Sequence, residues 1–141
     1  MSRYIWSALN KQQVGAYAEY CVKMELTMHG FQVYGTEVDD RGIDFVARHE
    51  DGPFCEVQVK SARGMTYVFA QKSKFVIRES LYMALVLFTE GIAPELFLIP
   101  ATTWRSPNEL FVDREYEGLK SKPEYGVNLS KKNMDVLAQY R

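Results

Sequence analysis

The sequence predicts an α/β (α+β) fold in which a central mixed sheet is flanked by helices. Three observations predict it: a helical pattern near the start, two extended runs joined by an Asp-Gly turn, and a strongly apolar run over residues 81–89. The predicted order is α-β-β-β-α-β-β plus a C-terminal helix. At 141 residues, the chain is most simply one domain, 1–141.

The first half of the chain predicts a helix and three strands. Residues 10–28 predict the helix, because apolar side chains recur at helical spacing and Gly30 fits its end. Residues 31–34 predict the first strand, and residues 38–42 a polar turn. Residues 43–49 and 54–61 predict two further strands, and Asp51-Gly52 between them favours a hairpin.

The second half is less regular. Residues 66–70 predict a short edge strand, residues 71–80 a short helix, residues 81–89 a central strand and residues 95–101 another strand. After Thr102 the pattern weakens. Residues 128–140 then predict a terminal helix, with Ser130 as its N-cap.

Composition excludes several classes of protein. No run approaches the roughly 20 apolar residues of a membrane span, and the first residues lack the apolar core of a signal peptide. Two cysteines indicate a reducing, cytoplasmic setting rather than a disulfide framework. Two histidines without a cysteine pair at metal spacing argue against zinc. The net charge of −1 does not by itself indicate nucleic-acid binding.

The third predicted strand carries a row of polar side chains on one face. Side chains alternate along a strand, so Glu56, Gln58 and Lys60 point away from the core that Val57 and Val59 face. Asp44 interrupts the apolar run of the neighbouring strand and can face this row. Oxygen ligands suit a hard cation, and a lysine suits a phosphate. The pattern predicts a magnesium and phosphate site.

Basic residues without acids follow this row. No Asp or Glu occurs between residues 57 and 78. The candidate nucleic-acid-binding residues in this stretch are Arg63, Lys72, Lys74 and Arg78. Gln71, Lys72 and Lys74 are also placed to hold a phosphate at a helix N-terminus. The alternative is an ordinary solvated basic face.

These residues resemble the motif of the PD-(D/E)xK nuclease superfamily. Its helical acid matches Glu19, its strand-two acid matches Asp44, and its third motif matches Gln58-Val59-Lys60 in the QxK form. The QxK form is similar to that of Mrr-like enzymes and an intron homing endonuclease. The helix followed by Gly30-Phe31 and an extended run also resembles archaeal Holliday-junction resolvases, whose third motif carries an acid instead. The resemblance implies a restriction-endonuclease-like core and a metal-dependent nuclease acting on nucleic acid, DNA in particular.

The resemblance also implies roles for individual residues. Asp44, Gln58, Lys60 and Glu19 become the catalytic residues, and Asp44, Gln58 and Glu19 the ligands of Mg²⁺ or Mn²⁺. Glutamine in place of an acid lowers the negative charge of the site, for which Glu56 is a candidate to compensate. On the helix, Glu25 is the rival of Glu19.

Three further expectations remain open. The same fold without catalysis would serve as a nucleic-acid-binding or protein-interaction module. A cutter of duplexes is expected to work as a homodimer, with Leu110-Phe111-Val112 as the predicted contact. The aromatic residues Trp6, Tyr67, Phe69 and Trp104 are expected in the core rather than stacked on bases.

Overall fold

The computed structural model describes residues 3–37, 41–116, 118 and 120–141. Residues 38–40 of the predicted polar turn therefore lie outside the described residues. The regular elements are, in chain order, α1 (Lys11–Met28), β1 (Phe31–Gly35), β2 (Phe45–His49), β3 (Cys55–Arg63), β4 (Tyr67–Gln71), β5 (Leu81–Phe88), β6 (Glu95–Pro100), β7 (Phe111–Arg114), β8 (Glu124–Asn128) and α2 (Met134–Leu137).

Five strands form the main sheet, in the order β1-β2-β3-β5-β6. β3 and β5 pair in parallel, whereas the other neighbours are antiparallel, so the predicted mixed sheet is confirmed. The turn after β2 closes when the Gly52 N–H donates to the His49 carbonyl at 2.9 Å, which gives the predicted hairpin. β5 lies inside the sheet and is almost wholly buried, as its apolar sequence predicts.

α1 covers one face of this sheet. Asn10 caps the helix, because its side chain accepts a hydrogen bond from the Gln13 N–H while the Gln13 side chain accepts one from the Asn10 N–H. The helix buries Val14, Ala18 and Val22 in a cluster that includes residues of β2, β3 and β5. Among the described residues, no helix is both long and apolar enough to cross a bilayer.

The connection between β3 and β5 differs from the prediction. The helix expected over residues 71–80 is wrong: the chain makes β4, a single 3₁₀ turn at Lys72–Lys74 and then a coil. Phe75 fixes this coil, because its buried ring packs edge-on against Trp104. The segment forms a 3₁₀ turn where a longer helix was expected, so Gln71, Lys72 and Lys74 do not lie at the N-terminus of such a helix. The phosphate contact expected of them stays a prediction.

A second, three-stranded sheet covers the other face of the main sheet. Its order is β4-β8-β7, so β4 is an edge strand, as residues 66–70 predict. The larger core lies between the two sheets and includes Trp104 and Phe111. The terminal helix expected over residues 128–140 is shorter and less regular than predicted: helical turns begin at Lys131, and only the four-residue α2 is α-helical, with 3₁₀ turns on either side.

The second sheet also changes two expectations about exposed surface. Leu110 and Phe111 are 1% and 0% exposed, so the dimer contact predicted at these two residues is wrong. Val112, the third residue of the predicted contact, is half-buried, and the dimer itself stays a prediction. Trp6 and Trp104 are buried as expected, but Phe69 is 46% exposed and therefore does not belong to the core.

Candidate active site

The two faces of β3 point into different environments. Val57 packs in the cluster under α1. Gln58 and Lys60 lie beside Met83 and Leu85 of β5 in the parallel register. Neighbours in such a register share a face, and both β5 residues belong to the core under the second sheet. The polar row of β3 therefore faces away from α1.

Asp44 joins β2 to β3 at the point where the hairpin opens. The last regular pair is Phe45 with Val57, so Asp44 comes level with Gln58 one step further on. The Asp44 backbone N–H donates to the Val57 carbonyl at 2.9 Å. The Asp44 carboxylate oxygen Oδ2 accepts a hydrogen bond from the Val59 N–H at 2.7 Å. Asp44 is thus fixed directly against the Gln58-Val59-Lys60 motif.

Gln58 is buried with an unsatisfied acceptor. Its side chain is 6% exposed, and no described residue donates a hydrogen bond to Oε1. Such an atom loses its hydration without compensation, at a cost of about 1–3 kcal/mol. A cation or a donor from a bound substrate would satisfy it.

Gly42 holds the Gln58 amide in this position. Its φ of +78° is one that L side chains rarely adopt, and a Cβ there would lie 2.5 Å from Gln58 Nε2. The same Cβ would lie 2.8 Å from the Lys74 carbonyl oxygen. The segment before Asp44 therefore packs between Gln58 and the 3₁₀ turn only because residue 42 is glycine.

The Glu56 end of the row is closed by partners. Arg78 donates from Nε and Nη2 to the two carboxylate oxygens at 2.8 and 2.9 Å, and Ser80 Oγ donates at 2.7 Å. The hydrogen bonds from Arg78 lower the pKa of Glu56, with that from Ser80 adding to the effect. Glu56, predicted as a compensating metal ligand, and Arg78, predicted as a phosphate contact, are therefore already bound to each other.

The helical acids have their own neighbours. Glu19 pairs with Lys23 at 3.2 Å, one turn along α1. Lys23 Nζ in turn lies 5.5 Å from the centre of the Phe45 ring, on the α1 side of the sheet. Glu25 lies beside Cys21, whose thiol pKa is raised by burial and then by the Glu25 charge. Both acids lie on α1, which packs on the face of the sheet opposite the polar row of β3.

Three of the four predicted phosphate contacts, Arg63, Lys72 and Arg78, already bind other groups of the protein, and the fourth, Lys74, is exposed. Arg63 donates to the backbone carbonyls of Trp6 and Leu9 at 3.0 and 2.8 Å. Lys72 pairs with Asp113 at 2.5 Å and also with Glu115. Lys74 is exposed, and the ion pairs of the described residues do not include it.

The donor atoms suit a hard divalent cation rather than zinc. The described residues contain no group of three or more His, Cys, Asp and Glu side chains that could hold a metal. What the hairpin brings together is one carboxylate, Asp44, and one unsatisfied amide oxygen, Gln58 Oε1. Oxygen donors of this kind fit Mg²⁺ or Mn²⁺, and a single carboxylate predicts weak binding.

Sequence reasoning missed two features of the site. The first is the contact of Gly42 with Gln58, for which the sequence offers only a glycine two positions before the acid. The second is the pairing of Lys72 with acids about 40 residues away in the chain, which no local pattern indicates.

Comparison with known proteins identifies the fold. No protein-family model matches the sequence, and no curated protein is similar to it. Solved structures do resemble this chain, and two of them have a TM-score of 0.50. One is the Holliday junction resolvase Hjc of Archaeoglobus fulgidus, an archaeal hyperthermophile, at 12% identity over 81% of this chain and 83% of that one. The other is the bacterial homing endonuclease I-Ssp6803I, at 13% identity over 86% of this chain and 78% of that one.

Both likenesses extend over most of each chain, so they confirm the restriction-endonuclease-like core that the motif predicts. They identify the fold, and the chemistry has to be argued from the residues themselves.

Proposed function

We propose that this chain is a metal-dependent nuclease that hydrolyses phosphodiester bonds in nucleic acid, DNA in particular. The observation that carries the proposal is the Gln58 amide oxygen, which is buried and has no donor among the described residues. It lies on the motif against which the Asp44 carboxylate is fixed. A buried acceptor without a partner is uncommon in a folded protein and calls for a ligand that completes it.

Asp44 and Gln58 are the proposed ligands of Mg²⁺ or Mn²⁺. Asp44 would supply the negative charge, and its hydrogen bond from the Val59 N–H at 2.7 Å would keep the carboxylate oriented. Glu19 stays a predicted third ligand, and its ion pair with Lys23 would have to open for it to serve. A bound divalent cation supplies an acidified water and charge stabilisation at the phosphate.

Lys60 would act on the phosphate itself. It shares the face of Gln58, two residues further along β3, and is half-buried. An ammonium in this environment stabilises the negative charge that develops on the phosphoryl oxygens as the water attacks. It would also orient the attacking water by a hydrogen bond. Lys74, exposed beside Gly42, would hold a flanking phosphate.

The two neighbours support the reaction class by analogy. One is by name a Holliday junction resolvase and the other a homing endonuclease. A non-catalytic binding module on the same fold is the second candidate. The replacement of the third-motif acid by Gln58 favours this alternative, since it removes one negative charge from the proposed metal site.

Cleavage of a substrate panel by wild type and Asp44→Asn tests the proposal. The panel contains linear, nicked, branched and single-stranded DNA together with RNA, each with Mg²⁺ and with Mn²⁺. Wild type should cleave at least one substrate, and Asp44→Asn should lose roughly 100-fold or more of that activity, because the metal ligand is gone. Affinity should stay similar or rise slightly, since a negative charge facing phosphates is removed.

Equal inertness of wild type and Asp44→Asn with every substrate and metal would contradict the proposal. Retained nucleic-acid affinity in that case would favour the non-catalytic module.

A further inference from the structure

The outer face of the three-stranded sheet carries an aromatic surface that the proposed active site does not use. Val68 and Ala70 of β4 point into the core, so Tyr67 and Phe69 point outward. The register places Phe69 beside Gly126 of β8, and Gly126 beside Val112 of β7. Arg114 lies in the next outward row. The aromatic face comprises Tyr67, Phe69, Val112, Arg114 and Gly126.

Its two rings are held side by side. The rings of Tyr67 and Phe69 are nearly parallel, with centres 6.0 Å apart and planes 19° apart. The Tyr67 hydroxyl donates to the buried Glu124 carboxylate at 2.5 Å. The Arg114 guanidinium lies 4.4 Å from the centre of the Tyr67 ring. Tyr67 is therefore fixed, and Phe69 beside it remains 46% exposed.

Gly126 makes this arrangement possible. A Cβ at this position would lie 2.0 Å from the Tyr67 hydroxyl oxygen and 2.3 Å from Cζ. The tyrosine ring thus lies directly over the backbone of β8. A flat aromatic surface over a sheet, with a glycine beneath it, can accept another planar ring.

The charges around the aromatic face suit a polyanion. Glu124, which lies beside Arg114 in the register, is 5% exposed and accepts a hydrogen bond from Tyr67. Arg114 lies on the face itself, Lys120 and Lys122 are exposed before β8, and Lys131 is exposed after it. Asp113 and Glu115 of the neighbouring segment are both engaged by Lys72. Exposed cations thus lie in the chain just before and just after β8.

The face is continuous with the candidate active site. β4 leads directly into the 3₁₀ turn at Lys72–Lys74, and the Lys72 N–H donates to the Pro123 carbonyl just before β8. That turn packs on Gly42, two residues before Asp44. Phe69 lies five residues before Lys74 in the chain, so their Cα atoms are at most roughly 17 Å apart, within reach of a strand of nucleic acid that leaves the site along β4.

We propose that the aromatic face binds an unpaired segment of the nucleic-acid substrate, with a base stacked on Phe69 and the adjacent phosphates held by Arg114 and the flanking lysines. This inference rests on the proposed function for the identity of its ligand. Stacking on aromatic rings in a basic groove is how proteins bind single strands without reading sequence, because every base has a flat face. The substrate class is then a nucleic acid with an unpaired region rather than a continuous duplex.

Binding without metal tests this inference separately from cleavage. The probes are fluorescent single-stranded DNA, single-stranded RNA and a blunt DNA duplex, and the readout is anisotropy in the presence of a chelator. Phe69→Ala should weaken binding of the single strands roughly 5- to 150-fold and leave binding of the blunt duplex nearly unchanged. Phe69→Trp should restore affinity, and its fluorescence should be quenched as a base stacks on it.

Phe54→Ala is the matched control, because Phe54 is 50% exposed on the hairpin between β2 and β3. It should bind single strands like wild type. Equal affinity of Phe69→Ala and wild type for single strands would overturn the inference, even if metal-dependent cleavage is present. A Phe69-dependent affinity in a protein that never cleaves would support the inference and contradict the proposed nuclease. If the aromatic face bound a purified protein partner and bound no single strand, that result would also overturn the inference.

Discussion

Two neighbouring members of the polar row on β3, Glu56 and Gln58, differ in how completely their hydrogen-bonding atoms are satisfied. At one end, Glu56 accepts three hydrogen bonds, two from Arg78 and one from Ser80. Two residues further on, Gln58 is more deeply buried, yet no described residue donates to its Oε1. Sequence treats the two positions alike, as polar residues on the same face of one strand. In the structure, Glu56 belongs to a fully hydrogen-bonded ion pair, whereas Gln58 carries an open acceptor.

This difference assigns separate tasks to neighbouring residues. A satisfied ion pair fixes the end of the strand and has little capacity left for a ligand. An open, buried acceptor destabilises the protein by about 1–3 kcal/mol, which a bound cation would offset. The same contrast recurs between Lys72, engaged by two acids, and Lys74, which is exposed.

Gly42→Ala should have the largest effect on the open acceptor at Gln58. The added Cβ would lie 2.5 Å from Gln58 Nε2, so the amide must move away from it. A displacement of about 1 Å at a reacting centre costs about 100-fold in rate. Metal-dependent cleavage should fall by that factor while the fold, followed by circular dichroism, persists.

Gly91→Ala is the control, because Gly91 has the same φ of +78° and no atom within 4 Å of the added Cβ. Both variants carry the same backbone strain of roughly 1–2 kcal/mol. Equal loss of activity in the two would contradict the role given to the contact with Gln58.

The two lysines should respond differently when binding is followed across salt concentrations. Lys74→Ala should reduce the slope of log affinity against log salt by about one, because one phosphate contact is lost. Lys72→Ala should change the slope less, since Asp113 and Glu115 already neutralise this side chain. A larger change of slope for Lys72→Ala would reverse the assignment.

The ion pair between Glu56 and Arg78 should make a small, acid-sensitive contribution to the free energy of unfolding. Because Arg78 and Ser80 lower the pKa of Glu56 below its ordinary 4.5, the unfolded state binds the proton first as the pH falls. The stabilisation is complete above pH 4.5 and is lost as the pH falls through the lower, folded value. Urea unfolding at several pH values should show a smaller acid-induced loss for Glu56→Gln than for wild type.

Glu79→Gln is the control for this experiment, because Glu79 pairs more loosely with Arg105 at 3.5 Å and its side chain is 88% exposed. It should lose stability in acid as wild type does. The same acid-induced loss in Glu56→Gln and wild type would show that the Arg78 pair contributes nothing.

Most of the main sheet could be predicted from the sequence because its elements are set by local patterns. The helical spacing of α1, the alternation along β3 and the apolar run of β5 each follow from which face is buried. The hairpin between β2 and β3 followed from Asp51-Gly52. These elements position Asp44 against Gln58-Val59-Lys60, so the residues of the candidate site could be named in advance.

The second sheet could not be predicted, because distant residues decide it. Residues 71–80 were expected to be helical, but Phe75 is held by Trp104, almost 30 positions later. Leu110 and Phe111 form an apolar run that indicates burial without indicating its partner, which proved to be this chain's own core. Phe69 alternates with two core residues, which predicts that it faces away from the core but cannot show whether another part of the chain covers it; in the structure it is 46% exposed.

Binding of Mn²⁺ by calorimetry, compared between wild type and three variants, tests the open acceptor most directly. If Asp44 and Gln58 are ligands, Gln58→Glu should bind Mn²⁺ more tightly than wild type, because a carboxylate replaces an amide, and Asp44→Asn should bind none measurably. Gln32→Glu adds the same charge on β1, where Gln32 is exposed, and should bind like wild type. Equal affinity of Gln58→Glu and wild type, or undiminished binding by Asp44→Asn, would contradict the proposed site.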